Sequence, residues 1–178
     1  MLKKMRGFTL IELLIVVAII GILAALLIPN ALAAIQKAKQ KGTMKDINSI
    51  ATAMMDFVTD NGTAPAHDGQ LTSGDTLYTQ LGGFYLKVLP QNDQWGSAFA
   101  VYGGTDAELV YANVTDTRAD DFLVASYGRN KTADTITFNP ADPNTVYFAM
   151  TGMKSFDKDL VNWSGSWIHV PKSAQLGT

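Results

Sequence analysis

The sequence predicts an α+β protein in which one long N-terminal helix, half transmembrane and half amphipathic, packs against a small antiparallel β-sheet. Three observations predict it. An unbroken apolar block runs from Phe8 to Ile28. After it, apolar residues recur at three- and four-residue spacings as far as Val58, the period of one helix face. Beyond Trp95, short apolar runs alternate with Gly, Asn and Asp, as strands alternate with turns.

The 178 residues suffice for one modest globular domain and an additional element. Hydrophobic residues make up 47% and charged residues 17%. Much of the apolar total lies in the first block, so the remainder is polar, yet it still holds enough for a core. Net charge is −2, and without the three leading bases Lys3, Lys4 and Arg6 it is −5. So acidic a balance gives no footprint for nucleic acid, and none is expected as a partner. The chain has no cysteine, which excludes disulfides, thiol catalysis and thiolate metal sites.

The apolar block comes first. A cleaved secretory signal has an apolar core of about 7–15 residues and a small-residue cleavage site after it. The block here is longer and lacks that site. As a helix it rises about 31 Å, the thickness of a bilayer's hydrocarbon layer. The bases precede it, so the N-terminus stays cytoplasmic and the rest lies outside. Glu12 is the exception inside the block. A carboxylate there costs several kcal/mol unless paired, and snorkelling to the interface favours the longer Lys and Arg. A cationic amine at the depth of Phe8 would serve it, and cutting the chain after Gly7 creates one.

The string Gly7-Phe8-Thr9-Leu10-Ile11-Glu12, after a short basic leader and before an apolar run, resembles the prepilin motif shared by type IV pilins and type II secretion pseudopilins. The resemblance implies that a prepilin peptidase cuts after Gly7 and N-methylates Phe8. It also implies that Glu12 of one subunit neutralises the Phe8 amine of a neighbour. Pro29 stands where that family's helix carries a proline. Gly7 lets a protease approach the backbone, an ion pair in an apolar fibre core rewards correct register, and Pro29 removes a helix donor and kinks or locally melts the helix. The expected organisation is a removed leader over 1–7, a transmembrane and filament-core half over 8–28, an amphipathic half over 29–59, and a head over 60–178.

In the amphipathic half, Ile47, Ile50, Ala51, Met54, Phe57 and Val58 share a face, while Lys37, Lys39, Lys41, Lys45 and Asp46 keep others wet. Gly42 is a weak point that bends the rod, and Met44, Met54 and Met55 fill core space. The helix is expected to run from about Phe8 to about Thr59 and stop at Asp60-Asn61-Gly62, with Pro65 beyond. Asp60-Asn61-Gly62-Thr63-Ala64-Pro65 is similar to the DNGxxP turn of the major pseudopilin. Tyr85-Leu86-Lys87-Val88-Leu89-Pro90 and Trp95-Gly96 resemble its YLxxLP and WG segments. The link Gln91-Asn92-Asp93-Gln94 departs from the shorter, proline-bearing link of that family.

The runs Phe99–Tyr102, Leu109–Ala112, Phe122–Tyr127, Val146–Met150 and Trp167–Val170 predict three to five antiparallel strands. Trp163 and Trp167 bracket Ser164-Gly165-Ser166, which predicts a hairpin or loop with packed aromatics.

Among site candidates, calcium is the one metal left open. The resembling family binds it near an SxGxDG loop, and Ser126-Tyr127-Gly128-Arg129-Asn130-Lys131 occupies that place here. Asn130 replaces the acid, and Arg129 and Lys131 add positive charge. Asn130, Asp134 and Asp142 are the candidate ligands, too few hard oxygens for the cation, which favours a polar loop. No other cofactor is expected. His67 and His169 lack zinc spacing, Ser126 is not in a nucleophile elbow, and Asp157-Lys158-Asp159 reads as a solvated turn. Asn61, Asn113 and Asn162 match the short N-x-[ST] pattern, which chance supplies often. No P-loop, HExxH or dinucleotide fingerprint is present.

The expected function is structural: a pilus-like filament subunit, not an enzyme, belonging to a type II secretion pseudopilus or a type IV pilus. The DNGxxP and WG matches favour the pseudopilus. The expected partners are identical subunits, minor pseudopilins, prepilin peptidase, an inner-membrane assembly platform, and the lipid bilayer before assembly. The expected location is the bacterial inner membrane with a periplasmic head, then a periplasmic pseudopilus or an extracellular pilus. The alternative is a membrane-anchored periplasmic binding protein or enzyme that uses the helix only as a tether, for which Gly7 and Glu12 would be dispensable.

Overall fold

Helix α1 spans Leu10–Asn61, close to the expected bounds. The computed structural model describes residues 8–136 and 138–172. The chain divides into two compact units after Gln36, and α1 contributes to both. It is helical on both sides of Pro29 and through it. The Asn30 side-chain amide donates to the Leu26 carbonyl at 3.2 Å, an extra bond beside the turn in which proline supplies no N–H. At the far end Gly62 takes φ 76° and its N–H donates to the Val58 carbonyl at 2.7 Å. That left-handed residue terminates the helix as the sequence predicts.

The unit from Lys37 onward is built on a six-stranded sheet. In chain order the elements are β1 (Asp68–Gln70), α2 (Thr76–Leu81), β2 (Ala100–Gly103), β3 (Phe122–Ser126), β4 (Tyr147–Phe148), β5 (Leu160–Trp163) and β6 (Ser166–Pro171). The strand order is β1-β2-β3-β5-β6-β4. Every pairing is antiparallel except β4 with β6, which is parallel. The sheet is therefore larger than expected, and one edge is parallel.

Alternation along the strands sends side chains to two covered faces. Val101, Phe122, Val124 and Leu160 face Ile47, Ile50, Ala51 and Met54 of α1. Ala100, Leu123, Ala125, Val161 and Ile168 face the opposite way, against Ala107, Tyr111, Val114 and Ile136. Because both faces are covered, all of β3 is buried, and it reads as a continuous apolar run.

The second cover corrects one expectation. Leu109–Ala112 is not a strand. A 3₁₀ turn over Gly104–Ala107 precedes it, and Leu109 takes φ 59°, which no strand tolerates. Tyr111 and Val114 instead close the far face of the sheet. Val146–Met150 likewise yields only the two residues of β4.

Gly42 has a packing role. A Cβ there would lie 2.9 Å from Cγ of Gln94. Gln94 comes that close because its backbone N–H donates to Thr43 Oγ1 at 3.2 Å and its side-chain amide to Asp46 Oδ2 at 2.9 Å. The preceding Asp93, buried, accepts from the N–H groups of Trp95 and Ser97 at 2.9 Å and from Ser126 Oγ at 2.7 Å. The link that departs from the family pattern is thus held by its own aspartate. Met54 fills the core as expected, but Met55 is exposed.

The β5–β6 connection is a two-residue hairpin, with Trp163 opposite Ser166. Ser164 and Gly165 take φ 44° and 84°, the conformation that matches strand twist. Trp163 packs on the far side of the sheet and Trp167 on the α1 side.

Candidate assembly interface

Among the described residues, α1 is the helix long and apolar enough to cross a membrane, and none of its apolar window is buried. Leu10 is 81% exposed, Leu27 70% and Ile19 53%. Soluble monomers rarely leave so large an apolar surface open, because covering each such side chain gains about 1.5–3 kcal/mol. The surface requires lipid or other helices.

At its start lies a feature that the sequence reasoning missed. The Glu12 carboxylate accepts from the Thr9 N–H at 2.8 Å and from Thr9 Oγ1 at 2.7 Å. In return the Glu12 N–H donates to Thr9 Oγ1 at 3.3 Å. This is a capping box, legible as T-x-x-E in Thr9-Leu10-Ile11-Glu12. It satisfies donors that would otherwise be orphaned in an apolar medium. Both side-chain bonds land on Oε2, and among the described residues Oε1 is left for a further donor. Phe8 sits just before the cap, 81% exposed. Gly7, the expected cleavage position, lies outside the described residues. Pro29 lies within α1.

Asn130 and Asp142 are engaged locally through their side chains, and Asp134 through its backbone N–H. Asn130 Oδ1 accepts from the Thr132 N–H at 3.1 Å. Asp142 Oδ1 accepts from the Asn144 N–H at 3.0 Å and caps a 3₁₀ turn. Asp134 donates its backbone N–H to Asp159 Oδ2 at 3.0 Å. Among the described residues, no group of three or more His, Asp or Glu is gathered to hold a metal ion. The loop is tied by Arg129, whose guanidinium makes a two-pronged pair with Asp157 at 2.7 and 3.1 Å.

Asp157-Lys158-Asp159 is therefore not a plain solvated turn. Asp159 is fully buried. Its Oδ2 accepts from the Tyr111 hydroxyl at 2.8 Å, and its carbonyl accepts from His169 Nδ1 at 2.6 Å. Burial pushes the Asp159 carboxyl up to about 7 and lowers the His169 imidazole. Burial, with Asp159 beside it, raises the Tyr111 phenol. His67 bridges the Val101 carbonyl and Asp75 Oδ2 at 2.9 and 3.0 Å. Ser126 is buried with its hydroxyl spent on Asp93. Asn162 is buried too, so its N-x-[ST] match is inaccessible.

Residues 2–28 match the model of the prokaryotic N-terminal methylation motif. The chain is similar to type II secretion system core protein G of Vibrio cholerae, 37% identical over 55% of this chain and 73% of the relative. The Escherichia coli protein of that name is 35% identical over 55% of this chain and 72% of the relative. The Dickeya chrysanthemi protein is 27% identical over 91% of this chain and 88% of its own length. No solved structure matches.

Proposed function

Because this chain belongs to the family of type II secretion system core protein G, we propose that it is the repeating subunit of a secretion pseudopilus, processed at its N-terminus before assembly. It is a structural subunit of a pilus-like filament. The observation that carries the reading is the exposed apolar half of α1 headed by a capped Glu12. A tether needs the apolar surface but no carboxylate.

The steps follow from these residues. The apolar half holds the chain in the bacterial inner membrane, with the basic leader cytoplasmic and the head periplasmic. Prepilin peptidase cuts after Gly7 and methylates the new amine of Phe8. In the bilayer Thr9 occupies Oε2 of Glu12 and lowers the penalty of burying it. During assembly Oε1 takes the ammonium of a neighbour's Phe8, so that subunits in the wrong register bury an unpaired charge. Identical subunits and minor pseudopilins are the partners, mounted by an inner-membrane platform. Calcium, if it binds through Asn130, Asp134 and Asp142, would steady the head and take no part in assembly chemistry.

N-terminal sequencing and intact mass of membrane-purified protein test this. The expected mature chain begins at N-methyl-Phe8, and Gly7→Val stays uncut. Glu12→Ala removes both cap and charge and loses filaments. Glu12→Gln separates the two, since Gln completes a capping box without charge. Loss of filaments in Glu12→Gln establishes ion pairing. Wild-type filaments from both Glu12 variants, or a chain still starting at Met1, would refute the reading.

A further inference from the structure

We propose that the uncovered face of α1 between Lys41 and Asp60 is a head-to-tail contact between copies of this chain, with Lys41 and Lys45 of one copy against Asp56 and Asp60 of the next. The contact rests on the filament reading above and specifies a register for it.

Charge is sorted along this part of the helix. From Lys37 to Lys45 every charged residue is basic, and from Asp46 to Asn61 every one is acidic. Lys41, Lys45, Asp56 and Asp60 are exposed. Among the described residues the ion pairs are His67–Asp75 and Arg129–Asp157, so none of the four forms an ion pair with another described residue. Asp46 differs, because it accepts from Gln94. Asp60 is held in place by the Tyr85 hydroxyl, which donates to Oδ2 at 3.0 Å.

The order of charge also runs against the helix itself. The last turn of α1 carries Asp60 and no base, although the negative end of a helix dipole favours cations. The helix dipole therefore does not account for the acids, and a broken local rule at an exposed face points to a partner. Between the charged ends the face is shallowly concave, lined by Met44, Asn48, Ser49, Thr52 and Met55. Small and flexible side chains of this kind let another surface come close. At the acidic end Phe84 stands 83% exposed beside Asp56 and Asp60, its ring touching Tyr85 edge-on and the rest of it open to another surface.

The geometry fixes the occupant as a second copy. Lys41 to Asp56 and Lys45 to Asp60 span the same length of helix, about 22 Å at 1.5 Å per residue. One axial shift of a parallel copy therefore aligns both pairs at once. The two patches differ, so the contact is heterologous and leaves a free patch at each end. A contact of that type grows into an open fibre rather than closing. An antiparallel pair would also match the charges, but it would close as a dimer.

The absence of cysteine makes the test clean. A full-length chain carrying Lys45→Cys together with Asp60→Cys is assembled into filaments, oxidised and run without reductant. The expected result is a ladder of dimers, trimers and higher species, while each single variant stays monomeric. In parallel, Lys41→Glu with Lys45→Glu should cut filament yield about tenfold, and adding Asp56→Lys with Asp60→Lys should restore it. Filaments that remain monomeric on the gel, a ladder that stops at dimers, or a charge swap that restores nothing would each overturn this contact and leave the filament reading intact. No filaments from the unaltered chain would overturn both.

Discussion

Two stretches of one helix use the same kinds of residue to opposite ends. In the first, Leu14, Ile15, Ile19 and Leu23 are all more than half exposed. In the second, Ile47, Ile50 and Met54 are fully buried against the sheet. The difference lies in the spacing. The first stretch is apolar on every side, so no single protein face can cover it, and it needs a surrounding medium. The second confines its apolar residues to one stripe and leaves lysines on the others, so one sheet suffices. A helix that is apolar all round therefore points to lipid or a bundle, and a striped one to its own domain.

The strongest way to break this comparison is to remove one large apolar side chain from each part. Phe99→Ala, at a fully buried ring, should cost the head about 3–5 kcal/mol, seen as a lower thermal midpoint of the full chain in detergent. Ile19→Ala should leave that midpoint within about 0.5 kcal/mol. Equal losses from both would mean that the first stretch is packed in a core. Ile15→Asp, in turn, should weaken membrane retention by about 2.5–3.5 kcal/mol, scored by alkaline extraction, and leave the head's melting unchanged.

A smaller effect belongs to Asp159. Its folded carboxyl is raised to about 7 by burial, so the fold favours the protonated form. Its contribution is full below the unfolded value near pH 4, fades as pH rises to about 7, and changes no further above that. Tyr111, Asp134, Lys158 and His169 surround it. Asp159→Asn, compared with the parent at each pH, isolates this group from His169. The variant should melt higher at pH 8 and equally at pH 4, and an equal difference at both would contradict the raised carboxyl. Smallest is Gly165→Ala. Gly165 sits at φ 84° with a would-be Cβ 2.9 Å from Met55 Cε, so the loss should be about 1 kcal/mol in the same melt.

Legibility follows the range of the forces involved. The helix stop at Asn61-Gly62 and the Ser164-Gly165 hairpin are readable because each depends on the φ preferences of adjacent residues. The Thr9–Glu12 capping box is equally local and readable as T-x-x-E. β1 and β5 leave no such signal, being three and four residues long and ordered only by neighbours distant in sequence. Leu109–Ala112 resembles a strand because it is a short apolar run, but Leu109 is exposed and only Val110 and Tyr111 turn inward, where they cover the sheet and do not join it.

By itself, then, the sequence determined the apolar segment, its carboxylate, the amphipathic stripe and the tight turns, because period and backbone preference act over a few residues. Only the tertiary structure decided which strands pair, that both sheet faces are covered, that Gly42 admits Gln94, and that Asp159 is buried among Tyr111, Asp134 and His169. Those outcomes depend on long-range pairing and desolvation, which exist only once distant segments meet.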